Sequence, residues 1–277
     1  MSNILNGSNL LNQFNIQQGD LLDANSANIN LGRFSSKFDR ESNIGFNGTV
    51  DNTEYILSPN APVNGLDISF PASAVNFSIA STSANDTSAG TGARTVILIG
   101  LDENYNTLLE TVTLTGQAPV DTNNTFLRVN DIIVTSVGST GSNEGNIYCS
   151  DSADTFTAGE PNTRIYAAIQ LGDNISKTLT YTVPNGFILA PKLIRLNTTA
   201  TTTTTAEIRF LRQSSAGVGV FLLTERYYIG TGGAIIDISN SPAFTPKTDV
   251  KMTAVRATGN GTIAVHANFE GVLLRQY

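Results

Sequence analysis

The chain has 277 residues, of which 14% are charged and 40% hydrophobic, with 24 glycines and no tryptophan. Thr-, Asn-, Ser- and Gly-rich chains favour strands and turns, so the composition excludes a helical bundle and predicts an all-β protein. The net charge of -7 and the pI near 4.7 give no basic stripe for nucleic acid and no attraction to an anionic membrane.

In chain order, residues 1–50 stand apart. Asn, Gln, Ser and Gly dominate, and the large apolar residues Leu10, Leu11, Phe14, Ile16, Leu21, Leu22, Phe34 and Phe38 are scattered among them. Leu10, Leu11, Phe14 and Ile16 have a loose helical spacing, but the Asn density opposes a stable helix. This segment reads as an extended arm that orders on a partner. Its partner-binding residues are expected to be Leu10, Leu11, Phe14, Ile16, Phe34 and Phe38.

From Thr53 short strands are expected at Glu54–Leu57, Leu66–Phe70 and Val75–Ala80, and then a long loop over residues 81–93. Arg94–Leu101, RTVILIGL, is apolar on both faces and reads as a central strand. A DENYN hairpin loop leads to Leu108–Leu114, where Glu110 interrupts the apolar face. Phe126–Val137 reads as one strand with a bulge or bend at Asn130-Asp131. A glycine-rich loop (138–146) and a short strand, Ile147–Cys149, complete a first sandwich domain, 51–150. The polar stretch 151–162 reads as a linker.

The second domain, 163–277, begins with a strand at Arg164–Gln170. Leu179, Tyr181 and Val183 then alternate with Thr178, Thr180 and Thr182. Pro184-Asn185-Gly186 has turn chemistry. Strands follow at Phe187–Asn197, Ala206–Arg212, Val218–Ile229, Gly232–Ile238, Val250–Arg256, Thr262–Ala267 and Gly271–Leu274. The low-complexity run 198–205 is expected to be a hairpin loop, and Gly259-Asn260-Gly261 a tight hairpin. The fold class is therefore all-β: two antiparallel β-sandwich, jelly-roll-like domains preceded by an extended N-terminal arm. The expected second core is Leu179, Tyr181, Val183, Ile194, Leu196, Ile208, Phe210, Val250, Ile263 and Val265.

Two stretches carry a family resemblance. Residues 90–147 hold GLD–turn–ETVTL–G followed by FLRV–GS–GSN–GNI, and residues 181–274 hold YTVPNG, AEIRFLR and PKTDVKMTAV. Together they cover about 150 residues and resemble virion structural proteins of aquatic tailed bacteriophages. The resemblance implies a part of the particle and supplies no catalytic residue. It suggests as partners the major capsid protein or a tail or neck protein. A homo-oligomer, most simply a trimer, is expected from how such sandwiches usually assemble, and the acidic charge leads to the expectation of no nucleic acid or membrane partner; no cofactor is expected.

The candidate chemistry is sparse. Asp102, Asn104 and Asn106 begin a calcium-loop pattern, but Thr107 stands where Gly is needed and Thr113 where Glu is needed. Asp151, Asp154 and Glu160 are a second cluster, read as a solvated linker. His266 is the single histidine and Cys149 the single cysteine, too few for zinc. Alternation in IAVHANF places His266 on the outer face of a strand, and Cys149 reads as a small buried hydrophobe. Glu110, Glu207, Glu225 and Glu270 lie on predicted strands and are candidates for a carboxylate pair. Tyr227 and Tyr228 face opposite ways. Gly217–Gly219 and Gly230–Gly233 precede no helix, which argues against phosphate cradles. No metal or catalytic residue is expected. The sequence reading favours a capsid decoration or head-attached protein, with a receptor- or glycan-binding tail module as the alternative.

Overall fold

The structure is a computed structural model that describes residues 38–59, 65–213 and 220–276. Eighteen strands and no helix occupy the described residues. Every strand pairing is antiparallel, and the strands build two sandwiches around two apolar cores.

The first sandwich pairs a three-stranded and a four-stranded sheet. Central strand β4 (Ala93–Leu101) lies between β5 (Thr107–Thr113) and β7 (Arg128–Val137). Val96 and Leu98 face the core, while Ile97 and Ile99 on the opposite face are half-buried, and both edges of the strand are paired. The facing sheet has the order β11 (Ala167–Ile169), β8 (Ile147–Asp151), β3 (Val75–Ser81), β6 (Val120–Phe126). Phe77, Phe126 and Tyr166 cluster between the sheets, with Phe77–Phe126 centroids 5.5 Å apart.

The expected single strand Phe126–Val137 is two strands. The chain leaves one sheet at Phe126 and enters the other at Arg128, which turns the sandwich corner in one residue. The anticipated bulge is present: Ile99 faces Asp131 and Gly100 faces Val129, so Asn130 is the extra residue. Leu66–Phe70 is reduced to a parallel bridge between Ile68 and Ile165.

The second sandwich has one sheet in the order β1 (Phe38–Val50), β18 (Ile263–Arg275), β13 (Phe187–Ala200), β16 (Gly232–Asp237). The other has the order β12 (Thr180–Thr182), β17 (Asp249–Thr258), β14 (Thr205–Gln213), β15 (Leu222–Ile229), with β2 (Tyr55–Ile56) also on β17. All ten residues expected in this core are buried. Phe210 stacks between Phe244 and Phe269, at 5.8 and 5.1 Å. The Pro184-Asn185-Gly186 turn closes with Phe187 N–H on Pro184 O and Gly186 at φ +77°.

Two expected boundaries move. The stretch 151–162 is no bare linker: β8 runs through Asp151, and β9 (Phe156–Thr157) and β10 (Glu160–Pro161) form a ribbon. Arg164–Gln170, expected to open the second unit, supplies β11 to the first. Ile169 and Ala167 complete its core, and Ser176 N–H still bonds Ile132 O. The end of the expected arm also belongs to the fold. β1 pairs along the length of β18, from Phe38 opposite Leu274 to Val50 opposite Ile263. A Cβ at Gly45 would lie 2.5 Å from Leu179 Cβ, so β1 is seated against this chain's own second unit.

The two sandwiches meet along a seam that combines a small apolar cluster, Ile56 with Ile68, Tyr148, Ile165 and Ala168, with polar contacts. Arg128 makes a two-pronged ion pair with Asp249, both contacts at 2.9 Å, and donates to Pro71 O. Its guanidinium lies 5.3 Å from the Phe70 ring centroid and 5.7 Å from that of Tyr105. The Asn130 side chain both donates to and accepts from the Thr182 backbone. Thr178, Thr180 and Thr182, the polar face of the expected Thr/apolar alternation, are buried; Ala168 N–H of the first unit donates to the Thr178 hydroxyl, which also meets Ser58, and Thr182 donates to Asp249 on its own sheet.

Candidate functional site

The carboxylates that drew notice in the sequence are absorbed by local structure. Asp102 Oδ1 accepts the N–H groups of Asn104 and Asn106, each at 2.8 Å, closing the β4–β5 hairpin. Asp154 accepts from Ser150 and from the Thr163 and Arg164 backbone, and Asp151 pairs with Arg164 at 2.6 Å. Among the described residues no group of three His, Cys, Asp or Glu is placed to hold a metal ion.

The four strand glutamates are likewise engaged apart from one another. Partial burial pushes the Glu110 carboxyl up, but the Asn123 and Asn124 N–H groups and amides outweigh it and hold it below the usual range. Glu207 is held low by Arg209, with Arg226 adding to the field. Glu270 pairs with Arg195 on the neighbouring strand of the same sheet. Glu225 lies on β15, opposite Phe210. Cys149 is sealed inside the first core, where burial pushes its thiol up. His266 sits on the second unit, so the two do not meet.

The glycine-rich loop that carried part of the resemblance is a polar knot. Fully buried Asp86 accepts from Ser81 Oγ (2.5 Å) and from the N–H groups of Ala93 (2.7 Å), Glu144 (2.9 Å) and Gly145 (3.0 Å). The Asn143 amide donates to Gly145 O and Gln170 O and accepts from Asn174 N–H. These bonds satisfy the backbone of two long loops.

The second unit is different. Seven large hydrophobic residues are exposed among the described residues, and five lie at 220–235: Val220, Leu222, Leu223, Tyr228 and Ile235, with Ile235 73% exposed. They mark one edge of the sandwich, where β15 ends one sheet and β16 ends the other. Register assigns the faces. Tyr227 and Glu225 lie opposite Ile208 and Phe210 and so face inward; Ile236 lies opposite Ile194 and does the same. Together with Ile238 they line a slot of about 360 Å3 between the sheets. The Tyr227 hydroxyl is buried without a hydrogen-bond partner, and burial, then the Glu225 charge, push its pKa up to about 12.

On the outer face, Ile235 joins Arg195, Asn197, His266 and Asn268 around a groove of about 560 Å3. His266 is half-buried there, as its outer-face placement anticipated, with the Phe46 ring 6.4 Å away. Burial lowers its pKa, and Lys177 lowers it further. Of the expected partner-binding residues, Leu10, Leu11, Phe14, Ile16 and Phe34 lie outside the described residues, and Phe38 opens β1. Sequence reasoning missed the 220–235 edge. Its signal was present in GGAIID, a strand without an internal charge or proline to guard it.

No family model matches the chain, and no curated protein does. Among solved structures, the VP2 subviral particle of infectious bursal disease virus aligns over 87% of this chain and 72% of its own, at 10% identity and a TM-score of 0.22. The structure of the Gt strain of that virus aligns over 86% and 73%, at 10% identity and a TM-score of 0.20. At these scores the two folds do not superimpose as one, and the alignments carry no weight for function.

Proposed function

We propose that this protein is a non-enzymatic structural component of a tailed-phage particle. In this reading it is a capsid decoration, cement or other head-attached protein, assembled in the host cytoplasm. The observation that carries the reading is the concentration of exposed apolar side chains on one edge of the second unit, in a molecule where the carboxylates, thiol and imidazole of the described residues are not brought together. Clustered exposed hydrophobics mark association surfaces. The resemblance of residues 90–147 and 181–274 to virion proteins supports the same reading. So does the acidic net charge, which suits the outside of a nucleic-acid container. Residues Leu10, Leu11, Phe14, Ile16 and Phe34 would contact neighbouring subunits or the major capsid, tail or neck protein, within a homo-oligomer, most simply a trimer.

Quantitative mass spectrometry of purified particles tests this. Hundreds of copies per particle are expected for a decoration protein, and six to a few dozen would move it to the tail or a vertex. Absence from particles that package DNA overturns the proposal. The groove around His266, with two amides and a guanidinium on its rim, favours one second reading, a tail-associated module that binds a hydroxyl-rich glycan. Glycan-array binding that is lost in Asn197→Ala and Asn268→Ala would support it.

A further inference from the structure

The edge at 220–235 consists of two strands with unequal defences. β15 carries the usual protections of a free edge: inward-facing Glu225, and a bulge at Thr224, since Phe210 faces Glu225 while Leu211 faces Leu223. β16 has neither. Among the described residues GGAIID pairs with β13 on one side only, and Asp237 at the very end is its one charge. Its outer backbone edge meets no strand among the described residues, and it lies between a mixed slot, where Tyr227, Ile236 and Ile238 sit beside Glu225, Asn240 and Ser241, and a groove where Ala234 and Ile235 sit beside Arg195, Asn197 and Asn268.

We propose that β16 is the acceptor for the N-terminal segment of a neighbouring copy, with residues Leu10–Ile16 adding as a further strand. This rests on the assembly role proposed above, which places copies side by side. Read at the strand period of two, LLNQFNI puts Leu10, Asn12, Phe14 and Ile16 on one face, with Leu11, Gln13 and Asn15 on the other. Its seven residues match the six of β16. The first face offers three apolar side chains to Tyr227, Ile236 and Ile238, and the Asn12 amide to the polar side chains of the same slot, Glu225, Asn240 and Ser241. The second presents amides and Leu11 to Arg195, Asn197, Asn268 and exposed Ile235. A strand laid there also covers the slot in which the Tyr227 hydroxyl is buried and unpartnered.

The reach suffices. Residues 17–37 separate this strand from β1 and span up to roughly 70 Å when extended. β1 and β16 are the two opposite edges of one sheet, so donation from the β1 edge of one copy to the β16 edge of the next repeats a single head-to-tail contact. Such a contact closes into a ring or continues as a shell.

The test places a photo-reactive benzoylphenylalanine at position 235 of the full-length protein and irradiates a mixture of isotopically light and heavy chains. Ile235 is exposed, so the fold tolerates the change, and a thermal melt checks this. Mixed-isotope crosslinks to residues 10–16 are expected, and Phe14→Glu should reduce them at least about tenfold. Crosslinks confined to one isotope overturn donation between copies. Crosslinks to residues 38–276 of another copy, or none at all, overturn the arm as occupant. The readout needs no phage particle. A protein that crosslinks as expected but is missing from particles removes the assembly role and leaves the strand addition standing, and the converse separates the two as well.

Discussion

The loop end of the first sandwich and the open edge of the second dispose of backbone polar groups in opposite ways. Around Asp86 and Asn143, two loops bring their N–H and C=O groups inside and satisfy them within the chain. At β15 and β16 the edge groups face outward, and apolar side chains sit beside them in water. The first arrangement rigidifies a surface and gives a partner little to bind. The second leaves the groups a partner strand would use. The difference teaches that glycine-rich motifs and exposed apolar strands, both conspicuous in sequence, have unrelated meanings here: one is internal stitching, the other an unmet surface.

The largest effect should come from the interior. Phe210→Ala removes a fully buried ring packed on Phe244 and Phe269 and should cost about 3–5 kcal/mol in denaturant unfolding. A cost under about 1 kcal/mol would show that the second core does not depend on that stack. Next, Asp86→Ala should cost about 3 kcal/mol, because two buried N–H groups and one half-buried one lose their acceptor together. Hydrogen exchange should quicken at Ala93, Glu144 and Gly145. If those amides keep their protection, the knot is not what closes the loops.

A smaller effect follows from two buried carboxyls. Burial raises Asp131 to about 7 and Asp67 to about 6, above the 3.8 of a free aspartate. The folded state therefore holds these protons to higher pH than the unfolded chain does. The stability they contribute is complete below the unfolded pKa and is lost as pH rises through about 6–7. The lowered carboxyls Glu110, Asp154 and Glu207 act the other way: their contribution is present above about 4.5 and lost below it. Denaturation midpoints should thus be higher near pH 5 than at pH 8, and Asp131→Asn should flatten that slope. Equal slopes in both proteins would refute the assignment to Asp131. The smallest effect belongs to the edge. Ile235→Thr should change stability by no more than about 0.5 kcal/mol. A loss like that of Phe210→Ala would mean that the edge is core after all.

Much of the fold was legible because it rests on short-range pattern. RTVILIGL declared a central strand, and alternation from Leu179 to Val183 declared which side chains point inward. What stayed hidden depended on who faces whom. Thr178, Thr180 and Thr182 have the polarity of a wet face, yet they are buried: Ala168 reaches Thr178 from across the seam, and Ser58 and Asp249 of their own unit bond Thr178 and Thr182. Arg164–Gln170 pairs backward with β8, a choice made by register and core volume that no local signal records. Of the site, the arm was identified by composition. The surface at β15 and β16 emerges only when sheet order shows which strands have one neighbour.

The interleaving of the two units bears on synthesis. β1 and β2 precede the first sandwich in the chain, yet they belong to the second, whose last strand is β18. Phe38 must wait for Leu274, 236 positions later, before their pairing can form. On the ribosome the first sandwich, continuous from about residue 66 to 176, emerges whole and can fold while β1 stands without its partner. Once folded, it acts as a rigid clip that brings the two ends of the discontinuous unit together and shortens the effective loop that β1 and β18 must close. Maturation is therefore staged: the inner sandwich precedes the outer, and the β16 edge comes into being only in the final stage.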